Sequence, residues 1–470
     1  MTKSQVVSTS SHDLPDGTIV SNENIPPFYF VVVFWGKQFA RYLTRYCLPS
    51  LLSTKNLPAL GAMSQHKFLF CTTKEDWNSL TQTTIFLRLQ KHITPHFIEI
   101  PPAPPEKSGC EHMGVGHKLA AQLAFQDRAC GVFLTPDLMV SDGTVLSLLR
   151  CAKAGYKVVL TAALRFSEES WFEQLKGFGY LMDEESQDAC DSPLTLTSRQ
   201  MVQAGIQSFH SQTLRYEWEA PYFSSFPCAC WWRVPGEDGL VLHSLSWAPF
   251  LCDYSAISTH DTSVFDVWTL DGDYIHQNFK QSEDIYVVTD SDEMMLVSWA
   301  PSEDRAQSTR PNPIKGLPVV GKWVKGGILR AAMLSGIFDE LKQRIFFLPV
   351  RWHAKELTAN WEVTERRAQQ TLQHYLWDCR SDLPESDAGC YPKSHKTSKT
   401  FNEHVRYYSF LPMVTIGRLW MILSDLYMFR RRLTWKLGLA MRGDSEVWGR
   451  IFRRVGIIWK TLRGVPIRNL

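Results

Sequence analysis

The sequence predicts an α/β fold, a doubly wound and mostly parallel sheet with a C-terminal helical extension. Three observations predict it. Phe28–Trp35 is an unbroken apolar, β-branched run, the pattern of a central parallel strand covered on both faces. Ala129–Asp137 is a second apolar run that ends on a carboxylate and leads through a helix into another strand, Lys157–Ala163. Between these runs strand and helix patterns alternate, as they do in crossover units that place helices on both faces of a sheet.

Taken in order, residues 1–27 are polar, close on Pro26-Pro27 and read as a disordered leader. Gly36 turns the chain into a helix from Gln38 to Leu52, with Phe39, Tyr42, Leu43 and Tyr46 at helical spacing. Lys67–Thr73 is the second strand, Glu75–Leu80 opens a helix, and Phe97–Ile100 is a third short strand. Pro101–Pro105 stiffens the path into a helix from Gly116, which carries Leu119, Ala120, Leu123 and Ala124 on one side. After Asp137, Asp142-Gly143 reads as a turn or cap, and the helix begun at Val145 stops near Gly155. Thr197–His210 is a capped helix, with Thr197 or Ser198 as the cap. Pro221–Trp299 holds Trp231, Trp232, Trp247, Trp268 and Trp299, with strands expected at Leu240–Leu245 and Ile285–Thr289. Core filling is the first reading of those tryptophans. The expected organisation is therefore a principal unit over 28–300, a linker over 301–320 and a helical segment over 321–378. A second linker follows over 379–400, and a basic amphipathic tail over 401–470.

Charge separates the tail from the body. Arg430–Leu470 carries eleven Lys/Arg and two acids, a surplus of nine against a chain total of +2, which leaves −7 for the rest. Cations alternate with Trp, Leu and Ile there, the pattern of an amphipathic helix lying on an anionic bilayer. Packing on the acidic body is the competing reading. Nucleic acid is not expected, since no recognised module accompanies the charge. The eleven cysteines form no metal-ligand spacing, so reduced thiols in a cytoplasmic protein are expected. The first residues lack an apolar signal core.

An acid at the end of a parallel strand lies at the edge where open α/β sheets bind ligands, which makes Asp137 the first site candidate. Trp35-Gly36-Lys37 follows the first strand at the same edge. Two further acidic groups stand out, Asp271-Gly-Asp273 and Asp290-Ser-Asp292-Glu293. The first is ordinary turn chemistry, and the second reads as a hairpin tip between Ile285–Val288 and Met294–Trp299. No Gly-x-Gly-x-x-Gly, Walker A or nucleophile-elbow sequence occurs, which disfavours dinucleotide, P-loop and hydrolase chemistry.

The segment from Phe28 to about Trp299 resembles a GT-A-type glycosyltransferase of the nucleotide-diphospho-sugar transferase superfamily. The resemblance rests on Thr135-Pro136-Asp137, which stands where that family carries an Asp-x-Asp or degenerate x-x-Asp motif, with Thr135 in place of the first acid. It implies a GT-A-like sheet and a divalent cation, Mn²⁺ or Mg²⁺, held by Asp137 on the diphosphate of a nucleotide-sugar donor. It also implies donor contacts from Gly36, Lys37 and Arg165, and a further metal ligand from His353, with His243 and His260 as weaker candidates. Asp290, Asp292 or Asp273 would act as the catalytic base or a second metal ligand, and Asp290-Ser291-Asp292, which reads Asp-x-Asp literally, is the runner-up metal site. The implied activity is sugar transfer to a glycan or lipid-linked acceptor at the membrane surface, by a cytoplasmic, membrane-peripheral protein. A non-catalytic scaffold that keeps the nucleotide-sugar fold is the alternative, supported by the missing first acid. A nucleotidyltransferase on the same fold would need a glycine-rich basic loop that Trp35-Gly36-Lys37 does not supply.

Overall fold

The computed structural model describes residues 25–376 and residue 412, apart from 62–64, 105–107, 163, 182–191, 224–228, 245–246, 267, 271, 280–281, 312–316, 318 and 335–344. The expected leader, second linker and basic tail lie almost wholly outside the described residues.

Thirteen strands are described, β1 (Phe28–Val33), β2 (Lys67–Thr72), β3 (Thr94–Glu99), β4 (Cys130–Leu134), β5 (Leu138–Val140), β6 (Val158–Ala162) and β7 (Arg165–Ser167), then β8 (Ala229–Arg233), β9 (Gly239–Ser244), β10 (Trp247–Asp253), β11 (Ile285–Val287), β12 (Leu296–Ala300) and β13 (Val350–His353). Seven of them form one sheet in the order β11-β6-β10-β4-β1-β2-β3. Only β10 runs against the rest, wedged antiparallel between β4 and β6. The mostly parallel, doubly wound α/β sheet is therefore present.

The centrality of β1 follows from its composition. Tyr29, Val31 and Val33 enter the core on one face, and Phe28, Phe30 and Val32 the core on the other, all buried. Each such side chain contributes roughly 1.5–3 kcal/mol on burial, enough to offset the order of 1–2 kcal/mol per residue lost in fixing the backbone. The helix Gly109–Gln126 packs directly onto this strand. A Cβ at Gly116 would come within 2.7 Å of Val33 Cγ1, so only glycine allows the approach. Its start is fixed by a capping box between Ser108 and Glu111. Thr197 and Gln200 form a second box at the head of Ser198–Gly205.

Two smaller sheets flank the main one, β5-β12-β7 and β13-β9-β8. They correct the expectation of a hairpin at Asp290–Glu293. β11 joins the main sheet beside β6, whereas β12 pairs with β5 and β7, so the two strands never meet. The turn between them docks instead on β13. Arg351 N–H donates to Thr289 O at 2.8 Å, and Ser291 N–H donates to Arg351 O at 2.9 Å. The C-terminal helices Val320–Leu334 and Ala359–Tyr375 cover the third sheet through a core of Trp218, Trp232, Trp361 and Leu372.

The expected helix from Gln38 to Leu52 is a single run with a defect. Lys37–Tyr42 and Leu48–Leu51 are α-helical, but Leu43–Cys47 widens into a π turn just ahead of Pro49, whose missing N–H removes one ladder bond. Trp231, Trp232, Trp247 and Trp299 are buried and serve as core, whereas Trp268 is 44% exposed. The seven described cysteines are free thiols. Among the described residues no helix is long and apolar enough to cross a membrane.

Two histidines in this body give it a predictable acid response. His117 Nδ1 accepts the Leu270 N–H at 3.3 Å and sits 2.7 Å from Thr269 Oγ1, between Phe133 and Phe265. Burial lowers its pKa to about 3, and burial lowers that of His260 to about 4. Both stay neutral in the fold while the unfolded chain protonates them near 6.5. The unfolded state thus binds more protons between about pH 4 and 6.5, and stability falls as pH drops through that window. Each histidine contributes at most about 1.4 kcal/mol per pH unit in the middle of that window, and the half-buried His260 contributes less than His117. Urea melts from pH 7 to 4.5 should show the slope, and His117→Gln should flatten it by one histidine's share. An unchanged slope in that variant refutes the assignment.

Candidate functional site

The order of the strands places the site before any side chain is considered. From β1 the chain moves outward through β2 to β3, then returns to lay β4 on the other side of β1. The winding reverses between β1 and β4, and it is outside the carboxyl ends of strands at such a reversal that open α/β sheets bind ligands. The register Val32↔Leu134 makes those ends level. Gly36 follows β1 with φ +79°, a backbone shape glycine adopts freely, and its N–H donates to Asp76 Oδ2 at 3.0 Å. Lys37 is exposed beyond it.

Asp137 leaves the end of β4 half-buried, in the turn before β5. Burial raises its pKa, opposed by a hydrogen bond with Thr135 and by the charge of Arg165. Arg165, half-buried at the start of β7, thus stands near Asp137 at the same edge. Lys37, Asp137 and Arg165 follow three parallel strands, β1, β4 and β6.

A cavity of about 510 Å³ opens beside this edge. One wall is the first helix, through Lys37, Gln38, Arg41 and Tyr42, and the other is the helix Glu168–Gly177, through Glu168, Glu169 and Phe172. Lys37 is the one residue expected from sequence that lines it; Asp137 and Arg165 are not in its walls. Tyr42 donates its hydroxyl to Glu168. Burial opposes charge on Glu169, but hydrogen bonds from Ser302 and Ser167 hold its carboxyl below the usual range. The cavity therefore offers two cations, two carboxylates and two aromatic rings. Only Lys37 among these was signalled by its place after a strand. Glu168 and Glu169 lie about 130 residues further on, with no motif to announce them.

The second station lies at the other side of the same edge. β11 is separated from β4 by β10 and β6, about 14 Å at ordinary strand spacing. Past its end, Asp290, Asp292 and His353 bring one ligand atom each within 4.8 Å of one another, and this group can hold a metal ion. His353 Nε2 is 2.9 Å from Asp290 Oδ1 and 3.9 Å from Asp292 Oδ2. Burial opposes charge on both His353 and Asp290, yet their hydrogen bond prevails, raising the histidine's pKa and lowering the acid's. Asp292 Oδ1 and Oδ2 accept from Arg199, whose Nη2 lies 2.7 Å from Oδ2. Arg199 carried no signal in the sequence.

The remaining candidates are placed as follows. Asp137 is not in the Asp290–Asp292–His353 group, so the structure gathers His353 with those two acids. Asp273 is in the first turn of the helix Gly272–Asn278. His243 is buried with Nδ1 2.9 Å from Phe346 O, and His260 Nε2 is 2.7 Å from the Tyr274 hydroxyl, both structural contacts. Asp142 accepts the Lys55 N–H at 2.9 Å beside the left-handed Gly143, as a turn residue does. Compared with known proteins, the sequence matches no family model and no curated protein.

Proposed function

We propose that the chain is a glycosyltransferase that binds a nucleotide-sugar donor at the β1/β4 edge and transfers its sugar to a glycan or lipid-linked acceptor. The observation that supports the reading is the placement of Lys37, Asp137 and Arg165 after β1, β4 and β6 at one carboxyl edge, with Lys37 also lining a cavity large enough for a sugar. Lys37 and Arg165 would offset the diphosphate's charge. Asp137 fits a hard cation in this setting, because Mg²⁺ or Mn²⁺ on a nucleotide takes one or two carboxylates and draws its other ligands from phosphate and water. Such an ion would polarise the leaving diphosphate. Tyr42 and Phe172 would offer faces on which a pyranose can stack, and Glu168, which lines the same cavity and accepts the Tyr42 hydroxyl, would take the acceptor's proton. The basic segment after Arg430 would hold this edge near an anionic bilayer.

One observation favours a non-catalytic scaffold instead. Thr135 supplies no carboxylate beside Asp137, so a cation there would have a single protein charge. Melting the full chain with UDP- and GDP-sugars, with and without Mn²⁺, separates the readings. The transferase reading expects one donor to raise Tm in an ion-dependent manner, and expects slow release of free sugar on long incubation. Stabilisation without sugar release supports the scaffold. No shift with any donor in wild type ends both, and a shift that Lys37→Ala leaves undiminished removes Lys37 from the donor contacts.

A further inference from the structure

We propose that Asp290, Asp292 and His353 form a divalent metal site independent of nucleotide, one that clamps the 289–293 turn to β13. The inference does not rest on the sugar-transfer reading. Three observations converge on it. First, His353 Nδ1 lies 2.7 Å from Lys355 O, a group that can only accept, so Nδ1 carries a proton and Nε2 points at the two carboxylates. A backbone carbonyl on the far nitrogen is how metal-binding histidines are oriented. Second, the acids come from one rigid turn, since Asp290 Oδ1 accepts the Asp292 N–H at 2.9 Å and Ser291 Oγ accepts the His353 N–H at 3.2 Å. The ligands are thus spaced by backbone bonds before any ion arrives.

Third, a small cavity of about 10 Å³ opens against Asp290, about the volume needed to hold one water. Thr161 lines it from β6, only 4% exposed, and its Oγ1 has no hydrogen-bond partner. The cavity thus offers one water a hydroxyl on one side and the Asp290 carboxylate on another, room for a solvent ligand at that acid. One imidazole and two carboxylates suit a first-row ion of the Mn²⁺ or Zn²⁺ class rather than Ca²⁺. Arg199 competes for Asp292, so the ion displaces part of that bidentate pair.

The test is Mn²⁺ uptake by the full chain without nucleotide, followed by electron paramagnetic resonance, with Zn²⁺ as competitor. One ion per chain is expected, with spin-echo modulation from a single imidazole nitrogen. Asp290→Asn and His353→Gln should each weaken uptake at least about tenfold, by analogy with the cost of disturbing metal shells. Arg199→Gln, which frees Asp292, should bind several-fold tighter, and weaker or equal binding by it removes Asp292 from the ligands. No saturable uptake by the wild type, or bound Mn²⁺ without nitrogen coupling, overturns the site. The nitrogen signal is read on the wild type, so a poorly folded variant does not decide the matter.

Discussion

Trp299→Ala should lower stability by about 3–5 kcal/mol, the usual cost of emptying a buried tryptophan position. Trp299 is fully buried near the end of β12, and three rings meet it edge to face, Tyr42 and Tyr46 at 5.6 Å and Phe172 at 5.2 Å. Its Nε1 has no hydrogen-bond partner, so the loss is one of packing, with no donor bond to restore. Tyr42 and Phe172 also line the 510 Å³ cavity, which makes Trp299 the support for both of its walls. A fall in Tm on the order of 10 °C is expected by calorimetry. Trp299→Phe should lose less than half as much, because a smaller ring still fills most of the space. A loss below about 1 kcal/mol for the alanine variant would mean that the rings close over the gap, and that the cavity wall does not depend on this residue.

The parts of this fold that were legible are those whose burial is two-sided and local. β1 declares itself because six consecutive side chains are apolar and all six are buried. The Thr197 cap is equally local, a threonine three residues before the glutamine that completes its box. β10 was not legible, because Trp247–Asp253 contains Pro249, and a proline argues against a central strand. The sheet accommodates it at a register shift between Pro249 and Leu251, a solution that depends on both neighbouring strands. β5 and β7 are three residues each, too short for any period to show. The site divides in the same way. Lys37 and Asp137 are predictable because each follows an apolar strand. Glu168 and Glu169 come from a helix whose sequence gives no sign of facing Lys37. The spacing Asp290-x-Asp292 is visible, but its partner His353 arrives through the pairing of β13 with β9 and the docking of residues 289–291 on it. No local pattern encodes that encounter.

Asp137→Asn separates a residue kept for chemistry from one kept for the fold, because the two roles predict opposite signs. Burial is the largest influence on Asp137 and raises its pKa despite Thr135 and Arg165. A carboxyl whose folded pKa lies above its unfolded value weakens the fold at neutral pH, since the folded state pays to keep the charge. Stability contributed by its protonated form is present at low pH and lost as pH rises through the raised pKa. Asparagine has the same shape and no charge, so the variant should melt at or above the wild-type temperature at pH 7, and the difference should vanish as pH falls toward 4. On the proposed transferase role, the same change removes the protein's only charged ligand to the donor cation at the edge of β4. Ion-dependent donor turnover should then drop by about 10²–10³-fold, the scale seen when one preorganised electrostatic group is lost from an active site. Calorimetry and a sugar-release assay on one preparation read both quantities. A variant that is markedly less stable, with turnover reduced only in proportion to unfolded protein, would make Asp137 a structural partner of Arg165. A variant as active as wild type would move the donor's cation away from β4 altogether.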